Sequence, residues 1–285
     1  MGVAWETIVG YKGSLTGTTT FDALTAGSGN SFAIRNYPDG SMAHLLDVYA
    51  ADSASAYQLS IKSPRMHDQV KGILLAGTPL DAAAAVIFNP QSLMPGPTKQ
   101  PLYSTDILQV TANGTASDVF NAAFSIRYDN LPGVAARLHS WQEIKPLIVN
   151  EVGLLTQPVP SGTAGEWGAG FVLNSVDNRL HADTDYAWLG YQSTLPVTAV
   201  SMQGIDFGNL RVGGPGNWDI AETGSFFIDQ DEQYNTTGGF PSIPVFNSNN
   251  QGGILVAISK LATTGTPNVT LRFAQLSVKL PNPVM

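Results

Sequence analysis

The sequence contains no cysteine, little charge and no long apolar run. The absence of cysteine excludes disulfides, zinc–thiolate sites and thiol nucleophiles. No apolar stretch approaches the ~18 residues that a membrane-spanning helix needs. The segment Met1–Gly13 also lacks the basic-then-apolar layout of a signal peptide. We therefore expect a protein that is made and used without export.

Charged residues make up only 13% of the 285 residues, about half of the ~25% share that is usual in globular proteins. The net charge is −8 and no basic run is present, so direct binding to nucleic-acid phosphates is not expected. A free monomer normally relies on surface charge for its solubility. The low charge therefore predicts that neighbouring molecules cover much of the surface.

The motifs of common enzymes and cofactor sites are missing as well. There is no Gly-x-Ser-x-Gly nucleophile elbow, no Gly-x-Gly-x-x-Gly fingerprint and no phosphate-binding loop. The four histidines, His44, His67, His139 and His181, are scattered without a metal-binding pair, which favours structural or surface roles. The sequence thus predicts no catalytic residue and no cofactor, and it offers a single candidate for a metal site.

That candidate is the acidic segment DQDEQYN, which contains Asp229, Asp231, Glu232 and Asn235. Carboxylates two residues apart can bind Ca²⁺, but the segment lacks the sixth-position glycine and the distal glutamate of an EF-hand loop. The alternative interpretation is a solvated helix face or a contact patch between subunits.

What the sequence does contain is a succession of short strand-like segments. They are rich in aromatic and β-branched residues, they alternate in polarity, and Gly, Pro, Asp or Ser bound them. Together they predict an all-β protein. The predicted strands are Trp5–Tyr11, Ser31–Tyr37, Ala43–Ala50, Ala56–Ser63, Val70–Gly77, Thr105–Ala112, Phe120–Tyr128, Glu166–Asn174, Asp185–Ser193, Val197–Ile205, Asn209–Gly214, Ser242–Asn247, Gly252–Ser259 and Asn268–Leu280.

Three segments have helical features instead. Apolar residues at helical spacing predict a linking helix at about 132–145, which Pro146 ends. The two other candidates, Leu80–Phe88 and Ile220–Tyr234, each interrupt a series of strands. One internal helix candidate therefore lies in each half of the chain.

The two halves also resemble each other in sequence. QPLYSTDILQVTA (100–112) and IPVFNSNNQGGILVAI (243–258) share the order proline, aliphatic, aromatic, small polar residues, then Ile-Leu. When the two Ile-Leu pairs are aligned, the same offset brings Phe124 onto Leu271. The sequence therefore predicts a duplicated β domain, with an N-terminal copy at 1–140 and a C-terminal copy at 146–285.

About eight short strands per half, with a helix between the late strands, are typical of a jelly roll, in which two sheets face each other through Greek-key connections. In its size, duplicated strand order and helix placement, the chain resembles the double jelly-roll major capsid proteins of tailless icosahedral bacteriophages, many of which enclose a lipid membrane. The segment Ala182–Gly216 also looks like phage structural-protein sequence. The resemblance implies an all-β fold of two tandem eight-stranded jelly-roll barrels, with short helices between late strands and between the domains.

The resemblance also implies a function without enzymatic activity. A homotrimer of such subunits presents six similar barrels, so it mimics a hexagon and can tile an icosahedral shell. The implied location is the virion capsid after synthesis in the host cytoplasm. The implied partners are further copies of the chain, neighbouring capsomers, vertex or penton and minor capsid proteins, and membrane lipid in peripheral contact. The segments Met94–Thr105 and Gly204–Gly216 are expected to be exposed contact loops.

Two other functions fit parts of the sequence. One is a carbohydrate-binding β-sandwich, such as a phage receptor-binding or decoration protein, whose tryptophans would stack on sugar rings. The other, which fits less of the sequence, is a β-sandwich glycosidase with two carboxylates in a cleft around Asp229–Glu232. Three of the five tryptophans, Trp141, Trp188 and Trp218, lie in apolar patterns that are typical of a core instead.

Overall fold

The computed structural model describes residues 2–27, 31–52, 56–66, 72–77, 91–92, 100–155, 165–173, 180–195, 197–215, 224–237, 241–260 and 266–281. Within these ranges the protein is an all-β structure of several antiparallel sheets, as the alternating segments predict. None of the helices in the same ranges has both the length and the apolar character needed to cross a membrane.

The first half of the fold consists of strands β1 to β10, which form two sheets. Their bounds are β1 (Val3–Lys12), β2 (Asp22–Ala23), β3 (Thr25–Ala26), β4 (Met42–Asp52), β5 (Tyr57–Lys62), β6 (Ile73–Gly77), β7 (Gln91–Ser92), β8 (Gln100–Leu102), β9 (Gln109–Asn113) and β10 (Phe120–Asp129).

The second half follows a short linking strand, β11 (Leu138–His139), and a one-turn helix, α1 (Trp141–Ile144). Its strands also form two sheets, and its described helix lies between the fifth and the sixth of them. The bounds are β12 (Ile148–Leu155), β13 (Phe171–Val172), β14 (Asp185–Ser193), β15 (Val197–Gln203), β16 (Arg211–Pro215), α2 (Phe226–Thr237), β17 (Ile243–Asn247), β18 (Leu255–Lys260) and β19 (Val269–Leu276).

The two halves share one strand order. Each half has a large sheet and a small sheet that together contain eight corresponding strands. We number these eight strands 1 to 8 in chain order and leave β3, β7 and β11 out of the numbering. The first large sheet contains β1-β10-β4-β8 and the second contains β12-β19-β14-β17, which is the order 1-8-3-6 in both. The first small sheet is β2-β9-β5-β6 and the second is β13-β18-β15-β16, which is the order 2-7-4-5 in both. Strands β3, β7 and β11 are additions at or near sheet edges.

Alternation along each strand places one face in a core. In the first half, Phe124 and Ile126 of β10 are buried together with Ile8 of β1. In the second half, Leu271 and Phe273 of β19 are buried in a separate apolar cluster. Burying one such side chain contributes about 1.5–3 kcal/mol. Both members of the predicted pair Phe124 and Leu271 therefore face a core.

The predicted alignment of the two Ile-Leu pairs is out of register by one residue. In the first pair, Ile107 is 66% exposed and Leu108 is buried. In the second pair, Ile254 is buried and Leu255 is 45% exposed. Because side chains alternate between faces with a period of two, a one-residue shift exchanges the core face for the outer face. The structural partner of Leu108 is Ile254, so the sequence from Ile254 to Leu271 is one residue longer than the sequence from Leu108 to Phe124.

The predicted linking helix at about 132–145 is wrong in most of its length. A turn with Gly133 at φ +71° comes first, then a bridge from Ala136 to Phe207, and β11 then pairs with β17. Only Trp141–Ile144 is helical, and a 3-10 turn follows it. The side chain and backbone of Ser140 form a capping box with Glu143, which fixes the helix start after the strand. Strand pairing thus overrides the apolar spacing.

Other predicted segments also differ from the structure. Ser31–Tyr37 is not a strand and contributes only an isolated bridge at Ala33. The predicted contact loop Gly204–Gly216 ends in strand β16, which packs inside the molecule, and Gln100–Leu102 of the other predicted loop is strand β8. The helix candidate Leu80–Phe88 lies outside the described residues.

The first large sheet is buried on both faces. Its outward face packs against the second small sheet, and small residues at the contact, Ala123, Ala199 and Ala257, cluster with Val9. The Thr7 hydroxyl group of β1 donates a hydrogen bond to the carbonyl oxygen of Gly213 in β16, at 2.9 Å. Because sheets with small side chains can approach closely, this contact joins the two halves along β1.

Gly165 shows how closely the halves approach. Its φ is +71°, a conformation that side-chain-bearing residues rarely adopt. A Cβ atom at this position would also collide with Tyr11 of β1 and with Asn121 of β10. The chain entering the second half therefore lies directly on the outward face of the first large sheet, and only glycine fits there.

Replacing Trp5 tests the contact between the halves. Trp5 is fully buried on β1, yet it packs in the second-half core cluster, with its ring stacked on Phe227 of α2 at 6.2 Å. We expect Trp5→Ala to lower the free energy of unfolding by about 3–5 kcal/mol, measured by urea denaturation. Trp5→Phe should cost less, because it keeps most of the volume and removes an indole N–H that has no hydrogen-bond partner among the described residues.

The matched control is Phe21→Ala, because Phe21 is 40% exposed and a surface change of this kind costs at most about 0.5 kcal/mol. Equal losses from Trp5→Ala and Phe21→Ala would contradict a contact that joins the two halves.

Candidate functional site

Helix α2 carries the acidic segment that the sequence singles out. The Ser225 hydroxyl group, just before the helix, donates to the Asp229 carboxylate at 3.0 Å. Asp229 and Glu232 are exposed, whereas Asp231 is fully buried. A helix turns by about 100° per residue, so Asp229 and Asp231 face nearly opposite sides of α2. The three carboxylates therefore do not converge on one point, and Asn235 lies outside the residues whose side chains are described.

Both oxygen atoms of the Asp231 carboxylate accept hydrogen bonds from other elements. Oδ2 accepts from the backbone N–H of Trp141 at 2.8 Å, at the start of α1. Oδ1 accepts from the N–H and the hydroxyl group of Ser242, at 2.9 and 3.2 Å. The carboxylate thus ties α1 and the segment before β17 to α2. In the described part of the chain, no group of three or more His, Asp or Glu side chains is arranged to hold a metal ion.

A cleft of about 540 Å³ lies where the linking strand meets the second half. Arg137 lines it and is 4% exposed. Its guanidinium group donates to both carboxylate oxygen atoms of Asp185 and to the carbonyl oxygen of Leu280. It also lies 3.6 Å from Asp206, whose other oxygen atom accepts from the Asn250 amide at 2.8 Å. The cleft wall is therefore a buried ionic network that fixes the linking segment and the end of the described chain.

This network does not supply the acid that a glycosidase needs. Burial alone would raise the pKa of Asp185, but hydrogen bonds from Arg137, from the Asn247 amide and from the Leu280 backbone outweigh it and lower the pKa. A general acid for glycoside hydrolysis needs a raised pKa instead. Asp185 is therefore an ionised partner of Arg137 at neutral pH.

The tryptophans do not offer a platform for a sugar ring in the described parts of the chain. Trp5 and Trp188 are fully buried, and Trp167 is 6% exposed beneath the Arg211 guanidinium group at 4.8 Å. Trp141 is half-buried, and Trp218 lies outside the described residues. The prediction that Trp188 belongs to the core is confirmed.

The histidines lie apart from one another and have structural surroundings where they are described. His44 lies 3.8 Å from the Asp129 carboxylate, and His139 lies 3.6 Å from the Glu143 carboxylate. Burial lowers the pKa of both imidazole groups. His181 is exposed, and His67 lies outside the described residues.

The structure shows two outward sheet faces that the sequence analysis did not predict. The described residues of the protein leave both faces largely uncovered. The small-sheet face belongs to the first small sheet and includes Leu74 at 46% and Ile107 at 66% exposure. The large-sheet face belongs to the second large sheet near β12, where Gly153 and Glu151 are exposed. A signal was present in the sequence, because Ile73–Leu75 is apolar without alternation, and such a run indicates a strand with two covered faces.

Comparison with known proteins gives little guidance. No family model matches the chain, and no curated protein matches it. Among solved structures, the chain has a match to a cryo-EM structure of a T=1 Penaeus vannamei nodavirus, with 8% identity over 98% of this chain and 99% of that one. The TM-score is 0.22, which is too low to carry any inference about fold or function.

The buried carboxylate of Asp231 is expected to be structural. Asp231→Asn places an amide group against backbone N–H donors and leaves one of them unsatisfied, which costs about 1–3 kcal/mol of unfolding free energy. Asp229→Asn, on the exposed side of the same helix, should change stability by less than about 0.5 kcal/mol. Urea denaturation measures both. If the two variants lost equal stability, the assigned role of Asp231 would be wrong.

The ionic network should show itself in the pH dependence of stability. The pKa of Asp185 lies below its ordinary value of 3.8 in the folded protein. Its charge therefore stabilises the fold fully above about pH 4, and that contribution is lost as the pH falls through the lower folded pKa. We expect the stability deficit of Asp185→Asn to be larger at about pH 6 than at about pH 2. A deficit independent of pH in urea denaturation would contradict the ionic role.

Proposed function

We propose that this protein is a structural subunit of a viral shell: a double jelly roll that self-associates into trimers and carries out no chemistry. Six similar barrels in a trimer form a pseudo-hexagonal tile, and tiles of this kind can cover an icosahedral surface. The function of the molecule then lies in its shape and in its contacts with neighbours.

The observation that carries the proposal is the repeated strand order. A jelly roll is a pair of facing sheets formed by eight strands with Greek-key connections. Both halves of this chain have the orders 1-8-3-6 and 2-7-4-5 in their two sheets. The position of α2 between the fifth and sixth strands of the second half is a further point of agreement with the resemblance to bacteriophage major capsid proteins.

The chemistry of the surfaces also supports a structural role. Where the first large sheet meets the second small sheet, the contact includes small and uncharged residues such as Thr7, Ala123 and Ala199. A chain with 13% charged residues can form further contacts of this kind without burying unpaired charges. Self-association therefore costs little desolvation.

The buried polar groups support the same conclusion. Asp231 joins α1 and α2, and the Arg137–Asp185 pair joins the linking strand to the second half. These groups hold elements together, and their hydrogen bonds leave no pair of groups poised for proton transfer in the described cleft. We therefore propose that the protein is not an enzyme.

The remaining assignments follow from the same proposal. The protein would be located in the virion capsid after synthesis in the host cytoplasm. Its partners would be other copies of itself, neighbouring capsomers, vertex and minor capsid proteins, and lipid in peripheral contact. The bacteriophage type of shell rests on the resemblance in sequence pattern. The carbohydrate-binding alternative loses its main support, because Trp5, Trp167 and Trp188 are buried.

Sedimentation velocity of the purified protein at micromolar concentration tests the proposal. We expect a mass of three chains or a larger assembly, and negative-stain images should show flat particles of pseudo-hexagonal outline. A stable monomer under these conditions would remove the proposed function. Binding of such a monomer to a glycan array would favour the carbohydrate-binding alternative instead.

A further inference from the structure

The contact between the two halves provides a template for contacts between molecules. Within the chain, strand β16 of the second small sheet packs on the outward face of β1 in the first large sheet. Strand β6 has the same place in the first small sheet as β16 has in the second. Strand β12 has the same place in the second large sheet as β1 has in the first. The small-sheet face is equivalent to the contacting surface at β16, and the large-sheet face is equivalent to the contacting surface at β1. In the part of the chain that the structure describes, neither face has a comparable cover.

Register fixes which residues correspond across the two small sheets. Strand β5 ends at Lys62 opposite Gln109, and β15 ends at Gln203 opposite Leu255. Two residues earlier, Ser60 lies opposite Leu74 of β6, just as Ser201 lies opposite Gly213 of β16. Leu74 is therefore the equivalent of Gly213.

Register also fixes the correspondence across the two large sheets. The buried residues Phe124 and Leu271 are equivalent, and they lie opposite Ile8 of β1 and Leu154 of β12. Thr7 precedes Ile8, and Gly153 precedes Leu154. Both Thr7 and Gly153 therefore lie on the outward face of their sheets.

In the contact within the chain, the large sheet carries the side chain and the small sheet carries the glycine. On the two open faces this arrangement is reversed. Within the chain, the side chain of Thr7 meets the backbone of Gly213. On the two open faces, Gly153 has no side chain and Leu74 has a large one. A side chain thus faces a glycine in both cases, so the open faces can approach as closely as the two halves do.

We propose that the small-sheet face of one copy of this chain packs on the large-sheet face of a second copy, with Leu74 against Gly153. The inference rests on the proposed function, and it assigns the surfaces through which the trimer forms. Repetition of this contact is heterologous, because the two faces differ, and it yields a closed ring when the rotation between copies closes.

The charges on the two faces are compatible with burial. Around Leu74, the small-sheet face carries the uncharged residues Ser60, Ala76 and Thr111, and its one charged residue in this described part is Lys62 at the end of β5. On the large-sheet face, Glu151 and Arg272 form an ion pair at 2.9 Å. Covering these faces therefore buries an ion pair and uncharged residues around Leu74, with Lys62 as the remaining charge at the end of β5.

Three variants test the proposal, each placing a charged side chain on the surface. Leu74→Arg alters the small-sheet face, and Thr270→Arg alters the large-sheet face beside Gly153. Ile205→Arg is the matched control, because Ile205 is 68% exposed in the turn between β15 and β16, outside both faces. Circular dichroism and thermal unfolding verify that each variant is folded. Gln109→Arg and Gln192→Arg, on the same two faces, replace any variant that fails this check.

Sedimentation velocity then gives the mass of each species. We expect trimers for the wild type and for Ile205→Arg. Leu74→Arg and Thr270→Arg should each be monomers, a threefold loss of mass, because every contact needs one intact face of each kind. An equimolar mixture of these two variants should form dimers, since the intact small-sheet face of Thr270→Arg can bind the intact large-sheet face of Leu74→Arg.

The outcomes separate this inference from the proposed function. A monomeric wild type removes both. A trimeric wild type with Leu74→Arg and Thr270→Arg still trimeric leaves the proposed function standing and overturns the assignment of the faces. A mixture that stays monomeric, or either variant forming dimers alone, also overturns it, because the contact would then not join these two different faces.

Discussion

The structure depends on one sheet that is buried on both sides. Strands β1 and β10 place Ile8 and Phe124 in the first-half core, and the opposite face of the same strands lies against the second half. Trp5 and Asp47 on this face contact helix α2. Beside β16, the close approach of the second small sheet requires small side chains. Small residues and a hydrogen bond from Thr7 to Gly213 satisfy that constraint. The two halves are therefore joined by a face that has no access to solvent rather than by a flexible linker alone.

Two buried carboxylates secure the elements that surround this sheet. Asp231 fixes the start of α1 and the segment before β17, and Asp185 fixes Arg137 at the beginning of the linking strand. Removing one partner of such a pair leaves the other buried without compensation, which is costly. Asp231, which belongs to the acidic segment that the sequence singles out, thus stabilises the fold.

Most strands could be predicted from the sequence because each is a short segment rich in aromatic and aliphatic residues, as β4, β10 and β14 are. The linking helix could not, because its apolar spacing is local whereas the pairing of β11 with β17 is not. The one-residue slip between Leu108 and Ile254 has a similar origin, since the turn lengths differ and only the structure shows which face each residue occupies. The acidic segment was placed correctly on a helix, but the inward direction of Asp231 depends on donors 11 and 90 residues away. Which sheet faces stay open depends on how the sheets pack in the folded protein, and the local sequence pattern shows only the apolar run at Ile73–Leu75.

The hydrogen bond between Thr7 and Gly213 spans 206 residues of sequence. Strand β1 is synthesised before β16, and its outer side remains uncovered until β16 has been synthesised. Contacts of such long sequence separation form slowly during folding. Before that point, a nascent or truncated chain therefore exposes the outward face of β1, which the folded protein buries. The two halves can therefore pack against each other only after β16 has been synthesised, which gives this topology a built-in order of events.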